Sequence, residues 1–391
     1  AGHGSETQIS HESVLRIGDF SSFTNANLPL WITASCDIMP FDGSAPTIGE
    51  AAMLNKKGGA VAFFGTTRTV YASYNKRINI AYLKYVLGLS GDKSITLGEA
   101  QRLAKNEMIT TGKDLTTNKL QYSLLGDPAI ALNRPTMNIV IDSINGMSVG
   151  SGTPLPTLKA GSAATVTGHI ESATGDFDGI VTVTVRDKEE TITCKLNNTS
   201  RDGATTAFTY KDRTKTLFTG SDNVKQGKFA FSFAIPKDID YTEGRGLINV
   251  YAVNNANTLK AHGENDNFIV GGSSIEGNDS IGPSIYCYLN SPSFMNGGNV
   301  NTTPYFVAQI TDEDGINATG NGIGHDLQLV IDGDMSKTYT LNENFTYDFG
   351  SYTKGSTYYS IPELAAGVHR LQFRAWDILN NSSTTELTFN V

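Results

Sequence analysis

Cysteine is scarce in this sequence, whose 391 residues include only three, Cys36, Cys194 and Cys287, far apart along the chain. This spacing gives neither a disulfide framework nor the paired cysteines of a zinc site. A cysteine in so Cys-poor a chain is therefore either a small buried side chain or a reactive thiol.

Positive charge is also in short supply. The 30 Lys and Arg residues against 39 Asp and Glu give a net charge of −9, and no segment is rich in Lys and Arg. This balance argues against a nucleic-acid partner. No apolar run reaches the length of a membrane span. The length of the chain predicts two to three domains.

Two residues near the start of the chain have the surroundings that a cysteine peptidase requires. His3 lies between two glycines, and Cys36 ends the apolar run 28–36, whose last residues are small. Such a run predicts a buried strand, and reactive groups of open α/β sheets lie at the carboxyl ends of strands. An isolated cysteine is more often a small buried thiol. The glycine-flanked histidine favours the alternative, a thiolate nucleophile with a partner imidazole.

The organisation of the sequence changes once, near residue 135. Before that point, apolar strand patterns at 28–36 and 58–65 alternate with helical patterns at 48–54, 79–89 and 97–108, and a turn at 124–128 precedes another apolar run. Strands that alternate with helices predict a parallel sheet with right-handed crossovers.

Beyond residue 135 the helical patterns end and apolar and polar residues alternate, for example over 181–185, 229–235 and 247–253. This alternation predicts all-β sandwiches. The Gly- and Ser-rich stretch 271–283 reads as a linker. We therefore expect domains at 1–135, 136–272 and 273–391, the last two being immunoglobulin-like sandwiches.

The motifs of residues 1–135 resemble the second half of a gingipain-type cysteine peptidase domain. The resemblance is carried by Gly2-His3-Gly4, by Ala34-Ser35-Cys36 and by Leu125-Gly126-Asp127-Pro128, in that order. Segments 66–71, 322–326, 341–342 and 375–381 resemble more narrowly the branch of that family in the type IX secretion system of Bacteroidota. The resemblance implies a caspase-like α/β fold for residues 1–135.

The resemblance also implies roles for the matching residues. Cys36 would be the nucleophile and His3 the general acid and base, and the backbone N–H groups of Gly4 and Cys36 would form an oxyanion hole. Members of the family have upstream strands and an acidic residue that orients the histidine, which here would precede residue 1. We therefore expect that the upstream half of the peptidase domain is missing and that this piece alone is inactive.

Charged residues follow the two predicted strands. Arg68 should border the same cleft as Cys36, where its guanidinium would bind a substrate carboxylate or an anionic glycan, or alternatively form a structural salt bridge. Asp37 and Asp42 are expected to order the loop after Cys36, because a carboxylate beside a thiol raises the pKa of that thiol.

Three further features are expected to be structural or to lie at the surface, with no part in a reaction. The acidic segment 312–317 offers oxygen ligands for Ca²⁺ but lacks an EF-hand pattern, which favours a plain turn. We expect a structural role for the His325-Asp326 pair and a surface position for His11. No metal or other cofactor is expected.

The resemblance implies a sortase-like reaction through a thioester. The enzyme would remove C-terminal sorting domains from secreted cargo and join the cargo to lipopolysaccharide at the outer-membrane surface of a Gram-negative bacterium. Its partners would be cargo proteins, lipopolysaccharide and outer-membrane proteins of the attachment complex. Two alternatives stay open: a secreted gingipain-like endopeptidase, and an inert surface adhesion or scaffold protein with a degenerate peptidase half.

Overall fold

The computed structural model of the chain describes residues 1–91, 95–150, 154–171, 177–196, 204–274, 279–320, 322 and 324–391. The chain divides into two compact units, Ala1–Arg134 and Pro135–Val391. Part of the predicted linker, residues 275–278, and Ile323 of the quoted motif lie outside the described residues. The predicted boundaries at 136–272 and 273–391 stay predictions.

Among its described residues, the first unit combines short strands with four α-helices. In chain order they are β1 (Gln8–Ile9), β2 (Leu15–Arg16), α1 (Ile17–Ser22), β3 (Leu30–Ile32), α2 (Ile48–Leu54), β4 (Ala62–Thr66), α3 (Ala72–Val86), α4 (Leu97–Thr110) and β5 (Tyr122–Gly126).

Strand β4 is the centre of this unit, and all five of its residues are buried. Its alternate side chains enter two separate hydrophobic clusters. Phe63 packs in the cluster that contains α1 and α2, and Phe64 stacks on Tyr82 of α3 with ring centroids 3.8 Å apart. A strand that is buried on both faces needs a continuous apolar run, which β4 has. The unit therefore has three layers, with one helix pair on each side of the sheet.

The sheet order is β3-β4-β5, and the prediction of a parallel sheet is only partly right. Strands β3 and β4 are parallel, whereas β4 and β5 are antiparallel. The cause is the pair of helices between β4 and β5. Lys84 of α3 bonds Glu107 of α4, and Arg77 reaches the carbonyl of Lys113, so the two helices form an antiparallel hairpin. An even number of helical crossings returns the chain to the end where β4 stops.

The second unit begins with strands β6 to β18. They are β6 (Met137–Ile144), β7 (Met147–Ser148), β8 (Thr157–Ala160), β9 (Ser162–Ile170), β10 (Gly179–Arg186), β11 (Glu190–Thr193), β12 (Thr209–Asp212), β13 (Thr216–Lys225), β14 (Lys228–Ile235), β15 (Gly244–Arg245), β16 (Leu247–Asn254), β17 (Lys260–Asn265) and β18 (Ile269–Ser273).

These strands do not form the predicted two-sheet sandwich. Seven of them follow the order β17-β16-β10-β13-β14-β9-β6, and β17 also pairs with β6 through Ala261 and Met137, so the sheet closes on itself. Closure removes the exposed edges that an open sheet would present. Alternating side chains fill the interior, as in Val181, Val183 and Val185 of β10, which are almost fully buried.

The remaining strands are β19 (Ser284–Leu289), β20 (Tyr305–Thr311), β21 (Gln328–Ile331), β22 (Thr338–Thr340), β23 (Thr346–Tyr347), β24 (Lys354–Ser360), β25 (Val368–Trp376) and β26 (Ser382–Asn390). They form two four-stranded sheets, β19-β20-β24-β23 and β22-β21-β25-β26. Both sheets contribute to one core, in which Phe306 of β20 meets Phe373 of β25 at 5.2 Å between ring centroids. This region is a two-layer β-sandwich; its immunoglobulin-like character stays a prediction.

The start of the predicted linker is a strand. Residues 271–273 belong to β18, which pairs with β15 and in parallel with β8. Gly271 and Gly272 have positive φ at a break in the register between Val270 and Ser273. The glycines therefore serve a bulge rather than a flexible connection. No helix among the described residues is long and apolar enough to cross a membrane.

Candidate active site

The end of strand β3 brings Cys36 to the carboxyl edge of the sheet. The N–H of Thr33 donates to the carbonyl of Phe64 at 3.0 Å, and the hydroxyl of Thr66 donates to the carbonyl of Ser35 at 2.5 Å. These bonds continue the β3–β4 pairing beyond the last residue of β3. Cys36 consequently lies beside the end of β4, at the carboxyl edge of the sheet that the apolar run predicts.

The thiol of Cys36 is half-buried and packs against the hydrophobic cluster on the α3 and α4 side of the sheet. Its Sγ lies 3.4 Å from the carbonyl oxygen of Val70, to which the S–H donates. Burial raises the pKa of the nearby Tyr122 phenol, although the hydrogen bond from Asn79 opposes this shift. The thiol thus faces the protein interior rather than the His3 loop.

The His3 loop runs directly alongside the segment that ends in Cys36. The N–H of Gly2 donates to the carbonyl of Ala34 at 3.1 Å, and the carbonyl of His3 accepts from the N–H of Ser10 at 2.9 Å. The imidazole itself is exposed and lies against the ring of His11, with centroids 4.9 Å apart and planes tilted by 39°. Within the described part of the chain, no hydrogen bond joins this imidazole to the Cys36 thiol. The backbones are adjacent, and the pairing of the two side chains stays a prediction.

Gly4 is the point of closest approach between the two loops. A Cβ at this position would lie 2.8 Å from the Cβ of Ser35 and 3.1 Å from the carbonyl oxygen of Cys36, so only glycine fits without displacement. The N–H groups of Gly4 and Cys36 donate to no acceptor among the described residues. Unpaired N–H groups are what an oxyanion hole requires. The oxyanion hole formed by the N–H groups of Gly4 and Cys36 stays a prediction.

Arg68 lies next to the loop that follows Cys36, as predicted. Its carbonyl accepts from the N–H of Asp37 at 3.4 Å, and Thr69 donates through its hydroxyl to the Asp37 carboxylate at 2.8 Å. The guanidinium forms a two-point ion pair with Asp42, in which Nη1 lies 3.2 Å from Oδ1 and Nη2 contacts Oδ2. The two carboxylates therefore hold the loop after Cys36, as expected.

The Arg68–Asp42 pair corresponds to the salt-bridge alternative for this arginine. The hydrogen bond between them lowers the pKa of Asp42 and raises the pKa of Arg68. Both side chains remain about half-exposed, at 50% and 60%. An anionic ligand would therefore have to compete with Asp42 for the guanidinium, and the role of Arg68 in substrate binding stays a prediction.

His11 is the residue of this site that sequence reasoning missed. It is exposed, as expected for a surface residue, but its ring is the neighbour of His3. The contact depends on the turn between the two residues, where Gly4 and Ile9 form an isolated bridge and Ser10 has φ of +65°. A positive φ at serine leaves no strong sequence signal.

The other candidate positions have structural partners. Asp312 accepts from the N–H groups of Asp314 and Gly315 at 2.9 and 3.0 Å and so closes a turn. His325 bonds Asp238, at 3.1 Å, rather than Asp326. Among the described residues, no group of three or more His, Cys, Asp or Glu side chains is placed to hold a metal ion.

Residues 1–133 match the model of peptidase family C25, a family of cysteine peptidases. Among solved structures, the chain is similar to dimeric latent PorU from Porphyromonas gingivalis, with 32% identity, 86% of this chain covered and a TM-score of 0.45. A structure described as a protease shares 18% identity over 68% of this chain, with a TM-score of 0.32. No curated protein matches the chain.

The chain spans 31% of the length of the PorU chain and 52% of the length of the structure described as a protease. The match to the peptidase family is confined to the first compact unit, whose sheet carries Cys36 at its edge. It confirms the resemblance that the motifs around His3 and Cys36 indicate. Residues 1–133 are therefore similar to peptidase family C25, the gingipain family of cysteine peptidases.

Proposed function

We propose that the complete protein is a sortase-like cysteine transpeptidase. It removes the C-terminal sorting domains of proteins exported by the type IX secretion system and joins their new C-termini to lipopolysaccharide. The family match over residues 1–133 supports the peptidase chemistry. The segments that resemble the type IX secretion branch, together with 32% identity to PorU, favour the transpeptidase over other members of the family.

The chemistry divides into two acyl transfers. In the first, the Cys36 sulfur attacks the scissile carbonyl, the C–N bond breaks as the C–S bond forms, and His3 gives a proton to the leaving amine. In the second, an amine attacks the thioester, His3 takes its proton, and the thiolate leaves. The N–H groups of Gly4 and Cys36 stabilise the negative oxygen that forms in each step.

The single observation that carries this proposal is the backbone arrangement around Cys36. The thiol lies at the end of β3, the His3 loop is bonded to the same segment, and the two N–H groups are unpaired among the described residues. In this structure the two side chains do not contact each other. The thiol donates to the carbonyl of Val70, and the imidazole lies against the ring of His11. The proposed reaction requires both side chains to leave these positions and meet at the end of β3.

The expected location is the outer-membrane surface of a Gram-negative bacterium, where cargo, lipopolysaccharide and the proteins of the attachment complex meet. The second unit would serve there as a β-rich accessory region of the same chain. No metal or other cofactor takes part in the proposed reaction, because the thiolate and the imidazole supply both the nucleophile and the proton transfers.

One observation favours a second candidate, an inert scaffold with a degenerate peptidase half. The imidazole of His3 and the thiol of Cys36 share no hydrogen bond in the described structure, and each already has another neighbour. If this arrangement is permanent, the unit keeps the fold of the family without its activity.

The test uses the complete protein and its Cys36→Ala variant, with a cargo substrate and an added primary amine. We expect the cargo to be cleaved and its new C-terminus to carry the amine, as read by mass spectrometry. Cys36→Ala should lower the rate by several orders of magnitude, because nucleophile and base act as a unit. The matched control is Cys194→Ala, which removes an exposed free thiol of the second unit and should leave the rate unchanged.

The outcomes separate the candidates. Cleavage with water alone as acceptor supports a secreted endopeptidase in place of a transpeptidase. Cleavage that persists in Cys36→Ala overturns the assignment of the nucleophile, and a complete protein without activity supports the inert scaffold.

A further inference from the structure

The contact between His3 and His11 is the only ring contact that either imidazole makes in the described part of the chain. Neither ring accepts or donates a hydrogen bond to another described residue. By contrast, His169, His325 and His369 each bond a carboxylate. Two exposed imidazoles side by side, each with its ring nitrogens free, therefore stand out among the histidines of this protein.

The separation of the two rings fits one common ligand. A Zn²⁺ ion binds an imidazole nitrogen at about 2.0–2.1 Å in tetrahedral geometry, which places the centroids of two imidazoles on one ion about 5 Å apart. The observed distance is 4.9 Å, with the ring planes tilted by 39°. The separation of the ring centroids therefore already matches that of two imidazoles on one ion.

The backbone that carries the rings is held in place. The carbonyl of His3 accepts from the N–H of Ser10, the residue before His11, and Ser5 donates through its N–H to Gln8 at 3.0 Å. The turn thus behaves as a hairpin with a histidine on each arm. Such preorganisation lowers the conformational entropy that a metal would otherwise have to offset.

We propose that His3 and His11 form a two-histidine site for Zn²⁺ or a similar divalent transition metal, with water in the remaining positions. Imidazole is a preferred ligand for these metals. No third His, Cys, Asp or Glu side chain completes the site among the described residues, so binding is reversible rather than structural.

Occupancy of this site has a consequence that rests on the proposed function. A metal on His3 occupies the lone pair that a general base needs and holds the ring away from Cys36. Divalent metal therefore inhibits the peptidase reversibly through the His3–His11 pair. Metal binding itself does not depend on the peptidase role.

The experiment titrates the chain with Zn²⁺ and follows the imidazole resonances by NMR and the binding isotherm by calorimetry. We expect one ion per chain, with the His3 and His11 signals shifting together. His3→Gln and His11→Gln should each weaken binding by at least about tenfold, since even a group that only supports a metal ligand is worth that much. The matched control, His262→Gln, removes an exposed histidine of the second unit and should leave binding unchanged.

Zn²⁺ that binds His11→Gln as tightly as the original chain, or that leaves the His11 signal unmoved, overturns the site. A second measurement tests the consequence separately, as inhibition of cargo cleavage by Zn²⁺ in the complete protein and in its His11→Gln variant. If Zn²⁺ binds the pair but cleavage continues, the base role of His3 fails and the metal site stands.

Discussion

The two compact units use the same polar residue types in opposite ways. Among the described residues of Ala1–Arg134, the imidazole of His3 has one ring contact, with another imidazole, and the N–H groups of Gly4 and Cys36 are unpaired. In Pro135–Val391, the ring of His369 lies between the Asp332 carboxylate and the carbonyl of Ala365, each at 2.8 Å. The first arrangement leaves an imidazole and two N–H groups free to interact with a substrate, whereas in the second arrangement the imidazole is held by bonds within the protein.

The protonation of His369 shows what this difference means physically. The carbonyl of Ala365 and the carboxylate of Asp332 raise the pKa of His369, because both stabilise the imidazolium. Two fixed partners occupy both ring nitrogens of His369, whereas an imidazole that transfers protons needs one nitrogen free for the reacting group. Substitutions in each unit test this difference.

The largest effect is expected from Gly4→Ala in the first unit. Its Cβ would meet Ser35 and the carbonyl of Cys36, so the His3 loop must move away and carry the Gly4 N–H with it. We expect the cleavage rate of the complete protein to fall by about 10²–10³-fold, as for loss of an oxyanion-hole donor. The measurement is kcat per folded molecule.

The matched control for Gly4→Ala is Gly18→Ala in helix α1, where a new Cβ meets nothing within 4 Å. It should leave the rate unchanged. If Gly4→Ala cleaves at the original rate while its melting temperature falls, the close approach serves packing alone and the contrast between the units weakens.

The next effect concerns an acid-sensitive contact between α3 and α4. Glu107 receives hydrogen bonds from Lys113, Lys84 and Tyr85 at 2.8, 3.1 and 3.0 Å, and these partners hold its pKa at about 2, below the ordinary 4.5. A lowered pKa stabilises the native state above pH 4.5, and this stabilisation is lost as the pH falls toward 2. Glu107→Gln should cost the first unit about 1–2 kcal/mol at pH 7, since both lysines are partly exposed.

Each unit contains one tryptophan, Trp31 in the first and Trp376 in the second, so urea unfolding can be followed for one unit at a time. For Glu107→Gln, the signal is Trp31 fluorescence in a Trp376→Phe background. The cost should shrink between pH 4.5 and 2. Glu99→Gln, which alters an exposed ion pair with Arg102 on the same helix, is the control and should cost less at every pH. A cost that does not change with pH would show that packing, and not charge, dominates at Glu107.

Local patterns predicted those parts of the site that depend on one stretch of chain. The apolar runs placed β4 and the end of β3 correctly, because a strand buried on both faces needs an unbroken apolar segment. Helix α3 begins seven residues before its predicted start. Its early turns carry buried Asn75 and Asn79, and Asn79 donates to the hydroxyl of Tyr122 at 2.9 Å. Polar residues on the core side interrupt the apolar period on which the prediction relied.

Features that depend on partners distant in sequence could not be predicted. The antiparallel course of β5 follows from the α3–α4 hairpin, and the closed sheet of the second unit follows from the pairing of β17 with β6. The contact of His3 with His11 depends on the turn between them. The roles predicted for His3, Gly4 and Cys36 come from the family resemblance, because local patterns alone do not assign them.

A smaller effect of opposite sign is expected in the second unit. Burial, with some help from the charge of Asp377, raises the pKa of Asp312 to about 6 from an ordinary 3.8, although the turn N–H groups oppose this shift. A raised carboxyl pKa means that the native state gains stability as the pH falls through 6 toward 3.8. Asp312→Asn keeps the oxygen that accepts from Gly315 and removes the buried charge. We expect it to stabilise this unit by about 1 kcal/mol at pH 7.5.

For Asp312→Asn the measurement is urea unfolding followed by Trp376 in a Trp31→Phe background. The gain should shrink as the pH falls from 6 to 3.8 and vanish below about pH 3, where the original carboxyl is neutral in both states. Asp314→Asn, at an exposed position of the same turn, provides the comparison and should change little. A loss of stability at pH 7.5 would mean that the charged form of Asp312 is needed, for instance by a bound cation.

The smallest change in stability is expected from Arg68→Lys, which tests whether the ion pair beside Cys36 differs in purpose from one of similar exposure elsewhere. Arg370 and Glu386 form such a pair in the second unit, with side chains 62% and 40% exposed. Ion pairs this exposed contribute little, so Arg68→Lys and the control Arg370→Lys should each change the unfolding free energy by less than about 0.5 kcal/mol. Lysine keeps the charge but loses the planar fork that binds a carboxylate or phosphate at two points.

If Arg68 leaves Asp42 to bind substrate, Arg68→Lys should lower kcat/KM of the complete protein by about tenfold, which corresponds to ~1.4 kcal/mol of transition-state binding. Arg370→Lys should leave kcat/KM unchanged. An unchanged kcat/KM would mean that the guanidinium stays with Asp42, and that even at the candidate site this arginine is structural.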